Sequence, residues 1–184
     1  MKTMGLLLLS LVVVVPLLNG QGKAVHFKKL QEFLPAMELE GFERKKPTGQ
    51  TQTTMGMATS EAKVRYVTKQ REQENEMEAT EEPQLSIEIT ISDMGGTPYW
   101  QMAAMAYQQE FENETEDGYE KSVTVGKNYK GKESAQTGDY KHCTLEFVVG
   151  RFLVKMEADN TDTVALLHNL AEKMKLADLE KTSS

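Results

Sequence analysis

The sequence predicts an α+β fold, a central antiparallel sheet flanked by helices, from three observations. Leu85, Ile87, Ile89 and Ile91 alternate strictly with Ser86, Glu88, Thr90 and Ser92, so one face of a strand is aliphatic and the other polar. The same alternation returns at Leu145, Phe147 and Val149, and again at Phe152, Val154 and Met156. Apolar residues at helical spacing lie instead towards the two ends, at Phe27, Leu30, Phe33 and Leu34 and at Val164, Leu167, Leu170, Ala171 and Met174. Strands joined by short turns, with helices segregated from them, build an antiparallel sheet with helices packed against it.

The elements follow in chain order. Lys2 gives a short positive start, and the apolar run from Leu6 to Leu18 is interrupted only by Ser10 and Pro16. About thirteen residues rising 1.5 Å each cover about 20 Å, too short for an ordinary membrane helix and right for a secretion signal. Asn19, Gly20 and Gln21 supply the small-residue cut site, so residues 1–20 are expected to be a signal peptide and residues 21–184 a single α+β domain. The product is expected to be exported, periplasmic or secreted, with no stable membrane insertion once the signal is gone. Cys143, the lone cysteine, lies far from this segment and can form no internal disulfide, so stability must come from a hydrophobic core.

In the mature chain, residues 26–34 predict a short amphipathic helix stopped by Pro35. Residues 41–57 read as extended structure and turns, and Ala62, Val64 and Tyr66 mark a half-buried strand reaching Lys69. The glutamate-rich run 71–83 reads as a solvated hairpin loop. After the strand at 85–92, Pro98 opens a helix over Tyr99–Phe111, in which Trp100, Ala103, Ala104, Tyr107 and Phe111 are expected to face the sheet. A second acidic stretch, 110–120, precedes a short strand at Val123 and Val125 and an extended pair over Tyr129–Tyr140. Two strands and a final helix, capped by Thr161 or Asp162, complete the chain.

The Leu34-Pro35 helix end, the run from Leu85 to Gly96, the segment Gly150-Arg151-Phe152-Leu153-Val154 and the closing helix together resemble a group of small exported bacterial proteins without assigned function. The predicted topology is similar to the Mog1/PsbP-like fold. These likenesses cover most of the mature chain, rest on structural motifs, and imply no catalytic residue.

With Lys2 removed, 20 basic residues remain against 28 acidic ones, a formal charge of −8. That sign repels phosphate backbones and anionic headgroups, which excludes nucleic acid as the expected partner and favours a basic or neutral one. Chemistry-bearing motifs are absent. His26, His142 and His168 show no zinc-ligand spacing, and His142 beside Cys143 on a strand must point to the opposite face. Gly95-Gly96 forms no phosphate loop, and Asp93 is expected to fix a turn or cap the next helix more readily than to bind a cation. No metal, cofactor or catalytic set is expected.

Methionine is the compositional oddity, and Met102 and Met105 stand three apart on the Tyr99–Phe111 helix. Thioethers can hold copper(I), but more often they fill gaps or line adaptable apolar surfaces. With Trp100 and Tyr107 these residues form a candidate apolar groove for a peptide or small apolar ligand. The acidic stretches could recruit a basic partner or simply keep the loops solvated. The expected function is therefore an exported non-enzymatic binding or accessory domain of the cell envelope, with a carrier of a small apolar ligand as the alternative and an enzyme third. The released protein is expected to begin at Gln21; amino-terminal sequencing that finds Met1 on a membrane-bound product would overturn the signal assignment.

Overall fold

The computed structural model describes residues 23–69, 84–95, 97 and 100–182. The expected signal peptide and the expected acidic loop at 71–83 lie outside these residues. Among the described residues nine strands form one antiparallel sheet: β1 (Phe42–Arg44), β2 (Thr48–Thr54), β3 (Met57–Thr68), β4 (Ser86–Asp93), β5 (Glu112–Thr115), β6 (Gly118–Val125), β7 (Tyr129–Gln136), β8 (His142–Val149) and β9 (Phe152–Asp159). Four helices accompany them: α1 (Phe27–Leu30), prolonged by a 3-10 turn at Gln31–Phe33, α2 (Trp100–Ala106), α3 (Ala165–Glu172) and α4 (Leu176–Lys181).

Across the sheet the order is β1-β3-β4-β9-β8-β7-β6-β5, with β2 following β1 along the same edge of β3. Pro47, which has no N–H to give a ladder, sits in the break between β1 and β2. The chain thus runs to β4 as a meander, crosses through α2 to the far edge, and returns strand by strand until β9 pairs with β4. Tight turns make this possible. Met55 and Gly56 both have positive φ (53° and 78°), as a two-residue hairpin matching the sheet's twist requires, and Gly150 (φ 58°) turns β8 into β9.

The alternation read from the sequence divides the sheet into two chemical faces. Val64 and Tyr66 of β3, Ile87, Ile89 and Ile91 of β4, Leu145 and Phe147 of β8 and Phe152, Val154 and Met156 of β9 all enter one buried core. Leu30, Phe33 and Leu34 cover it from the amino-terminal helix, and Leu167, Leu170, Leu176 and Leu179 from α3 and α4. Each such side chain contributes about 1.5–3 kcal/mol by leaving water. The other face carries Lys63, Lys132 and Lys155 among Glu61, Glu88, Glu120, Glu146 and Glu157, in ion pairs of 2.7–4.0 Å. Being partly exposed, each is worth at most about 1 kcal/mol.

Five local expectations are corrected. The crossover helix is shorter than Tyr99–Phe111, because α2 ends at Ala106, and its following Tyr107 hydroxyl bonds Glu146 on the polar face of β8. Much of the acidic stretch 110–120 is strand: β5 and β6 form a hairpin in which Glu112 opposes Lys121 and Thr115 opposes Gly118. The segment Tyr129–Tyr140 holds one strand, Tyr129–Gln136, and not a pair. The closing helix breaks at Lys173–Lys175, where Lys175 (φ −82°, ψ 54°) leaves helical geometry so that α4 can turn Leu176 and Leu179 into the core. No side chain caps α3; Thr161 Oγ1 accepts from the Thr163 N–H instead.

Ile89 is fully buried, whereas Thr90, its neighbour, faces the half-exposed side. Ile89→Asp places an unpaired charge in the core and is expected to cost several kcal/mol, comparable with the whole stability of a domain this size. Thr90→Asp is expected to fold. Urea titrations giving equal midpoints for both variants would refute the face assignment.

Candidate functional site

On an ideal helix, successive residues are rotated by about 100°, so Trp100, Ala104 and the Tyr107 that follows fall on one side of α2, with Met102 and Met105 on the other. Exposure agrees with this division. Trp100, Ala104 and Tyr107 are half-buried, while Met102 and Met105 are 71% and 69% exposed. The four residues singled out as an apolar groove therefore do not converge on one hollow: two face the sheet, and two form an open apolar patch.

Tyr107 does line a cleft, of about 480 Å³, between the end of α2 and the β6 edge. Phe111 and Val123 add apolar surface there, and Glu110, Glu112, Lys121 and Lys130 make it polar and open. The Tyr107 hydroxyl donates to Glu146 at 2.8 Å, and burial, assisted by that bond and the carboxylate's charge, pushes its pKa well up. The phenol is consequently a donor that pins α2 and not a proton acceptor. Two further clefts, of about 180 and 270 Å³, are small and polar-lined.

Sheet register assembles two histidine–carboxylate pairs that the sequence did not reveal. On the polar face Ser86, Asp159 and His142 are direct neighbours across β4, β9 and β8. His142 Nδ1 donates to Asp159 Oδ1 at 2.9 Å, Ser86 donates to Oδ2 at 3.1 Å, and the Tyr140 hydroxyl donates to Oδ1 at 3.1 Å. Burial works to raise the Asp159 pKa, but these hydrogen bonds outweigh it and hold it below the ordinary value. The residue types are those of a hydrolytic triad, but the order is wrong. The carboxylate stands between serine and imidazole, and Ser86, itself buried, bonds Asp159 and Arg65, so the imidazole cannot take the hydroxyl proton.

The second pair lies on the core face. Glu133 of β7, 7% exposed, accepts from His168 Nε2 of α3 at 2.6 Å and from the Tyr119 hydroxyl of β6 at 3.1 Å, with Lys121 Nζ 3.3 Å away. Burial works to raise its pKa, but His168, Tyr119 and Lys121 together hold it below the ordinary value. This cluster fastens α3 to the sheet where the core row Ile89–Met156–Leu145 gives way to Glu133 and Lys121.

Cys143 is fully buried on that same face, and burial, then the charges of Asp162, Asp159 and Glu133, push its pKa to about 11. The thiol stays protonated, unsuited to attack or metal binding, and points away from His142. Asp93 bonds the Gly95 N–H at 3.0 Å and Arg151, so it fixes the turn as expected. Among the described residues, no group of three or more histidine, cysteine or acidic side chains could hold a metal ion, and no helix is long and apolar enough to cross a membrane.

No family model, curated protein or solved structure matches this chain. The site must therefore be read from its own chemistry, and one sequence signal stands out beside the α2 patch. Residues 94–109 contain no charged side chain, in a chain that is 27% charged. Five carboxylates follow at once, Glu110, Glu112, Glu114, Glu116 and Asp117, and none has an ion-pair partner among the described residues. The glutamates on the open face of the sheet, by contrast, are paired with lysines.

Because Glu133 has its pKa lowered, it stabilises the fold above the unfolded value near 4.5, and the contribution disappears as pH falls through the lower folded value. Glu133→Gln is expected to lower Tm at neutral pH and to flatten the fall of Tm below pH 4.5. An acid limb identical to that of the parent protein, measured calorimetrically, would remove Glu133 from this role.

Proposed function

We propose that the protein is an exported, non-enzymatic binding or accessory domain of the cell envelope that works through the surface of α2. The observation that carries this reading is the placement of Met102 and Met105. The other helices bury their apolar residues in the core, whereas this one keeps two large ones in water, on a stretch free of charge. Methionine suits such a surface, since its flexible thioether chain adapts to differently shaped apolar partners.

The chemistry supports the same reading. The serine, imidazole and carboxylate at the β4–β9–β8 end are wired in an order that blocks nucleophile activation, and the thiol is buried and protonated. The clefts are open and largely polar, which gives a small apolar cargo little shelter. Within this proposal the finer fold assignment is Mog1/PsbP-like, supported by the central antiparallel sheet with helices against it; export is supported by the short apolar amino-terminal run.

Met102→Ser with Met105→Ser is expected to leave stability within about 0.5 kcal/mol, because both side chains already lie in water. A photo-crosslinking residue placed at 105 in the native host is expected to give a discrete adduct, while one at the exposed Lys173 gives none. Equal labelling at the two positions, or none at 105, would count against α2 as the working surface.

A further inference from the structure

We infer that strand β2 is an assembly edge, on which a second copy of this chain lays its own β2 antiparallel across a two-fold axis and joins two sheets into one. The inference is separate from the α2 reading and does not rest on it. It starts from an absence of charge. Residues 47–60 hold no charged side chain, in a chain that is 27% charged, and they include all of β2, its turn and the start of β3. An edge strand presents unpaired N–H and C=O groups, and proteins ordinarily blunt such an edge with charge, proline or a bulge. The other edges are blunted by charge: β1 carries Glu43 and Arg44, with Lys45 and Lys46 next to it, and β5 carries Glu112 and Glu114. Within β2 none of these devices occurs, and its register against β3 runs unbroken from Thr48 opposite Lys63 to Thr54 opposite Met57.

The register says which groups are open. Met55 and Gly56 make a two-residue turn, so Thr54 and Met57 are the first hydrogen-bonded pair, and bonds to β3 recur at Gln52, Gln50 and Thr48. The N–H and C=O groups of Gly49, Thr51 and Thr53 therefore point outward, and among the described residues no backbone bond from a turn or loop reaches them. Every residue of β2 except Gly49 is exposed.

Open residues spaced by two are complementary to themselves. With a two-fold axis at Thr51, that residue meets Thr51 of the second copy and Gly49 meets Thr53 of the second copy, so every open group finds a partner in about six hydrogen bonds. Moving the axis by one residue sets Thr53 against Pro47, which has no N–H, or Gly49 against the Met55 turn. The same axis brings Met55, 92% exposed, beside Pro47 of the second copy, which gives its thioether an apolar neighbour. Thr51 Oγ1 bonds Ser60 and the Phe27 N–H on the core side, so Gln50 and Gln52 project to the other face. There Gln50 opposes Gln52 of the second copy, and their amides both donate and accept. Pairing consumes the edge on both molecules, so assembly closes at two. An equivalent β5 pairing would set Glu112 and Glu114 against the same carboxylates.

Sedimentation equilibrium on the purified protein is expected to give twice the chain mass. Because each chain is net negative while the interface is uncharged, added salt is expected to leave the dimer intact or tighten it. Gln50→Lys with Gln52→Lys sets lysines of the two copies against one another and is expected to weaken association at least about tenfold. Tm and the circular dichroism spectrum are expected to stay unchanged, since both side chains already lie in water. Gln50→Glu with Gln52→Glu is expected to act in the same way, and mixing the two variants is expected to restore a dimer holding one of each. Four results would overturn the inference: a monomeric parent protein at about 100 µM, a dimer that survives both pairs of substitutions, lysine and glutamate variants that stay apart on mixing, or a dimer that salt dissolves.

Discussion

The buried contact between Asp93 and Arg151 is the junction on which the layout of this molecule depends. Asp93, fully buried at the end of β4, accepts from the Val25 N–H at 2.6 Å, the Gly95 N–H at 3.0 Å and an Arg151 Nη at 2.8 Å. Arg151 in turn donates to the Lys23 carbonyl at 3.0 Å. Four parts of the chain therefore meet at one carboxylate: the approach to α1, the last residue of β4, the start of the crossover, and the β8–β9 hairpin. A buried ion pair adds little over a well-packed apolar pair, but removing one partner strands the other, at about 3–5 kcal/mol. Its value is positional. It sets where β4 stops and where the chain departs towards the far edge.

From that junction the sheet develops two faces with different tasks. The core face holds the aliphatic rows of β3, β4, β8 and β9 and supplies stability. Towards the β6 edge the same face becomes polar, and the Glu133, His168, Tyr119 and Lys121 cluster completes it by hydrogen bonding α3 where apolar burial thins out. A buried carboxylate is tolerable there only because donors surround it. The opposite face is a lattice of lysine and glutamate side chains, each contact weak in water, which keeps a large flat surface from sticking to other sheets.

Much of the fold was legible in the sequence, and the site much less so, for one physical reason. Burial of one face imposes a period of two, and Ile87, Ile89 and Ile91 or Leu145, Phe147 and Val149 display it without help from the rest of the chain. Only Val123 and Val125 of β6 were legible; β5 and the first half of β6 hide because β5 is the edge strand, where Glu112 and Glu114 can stay solvated while the backbone pairs. The break between α3 and α4 has no glycine or proline to announce it; packing of Leu176 and Leu179 imposes it. The histidine pairs were invisible in kind, since His142 lies 17 residues from Asp159 and His168 lies 35 from Glu133 along the chain, and only register and helix docking join them. The methionines of α2 were noticed, but their separation from Trp100 and Tyr107 depends on which side of a short helix meets the sheet.

The topology explains why that short helix is the place where a binding surface can arise. Because β9 occupies the position beside β4, the connection from β4 must cross to β5, five strand spacings away. At about 4.8 Å per strand that is about 24 Å, which no tight turn can cover. The crossing passes over the polar face, as the Tyr107–Glu146 bond marks, and α2 meets that face through half-buried Trp100, Ala104 and Tyr107. Nothing in the core requires any particular residue on the outward side. Lysine or glutamate there would serve solubility better than methionine. The choice of an apolar, charge-free stripe at a position where folding is indifferent is therefore not explained by stability, and that mismatch is what the proposed binding role of α2 rests on.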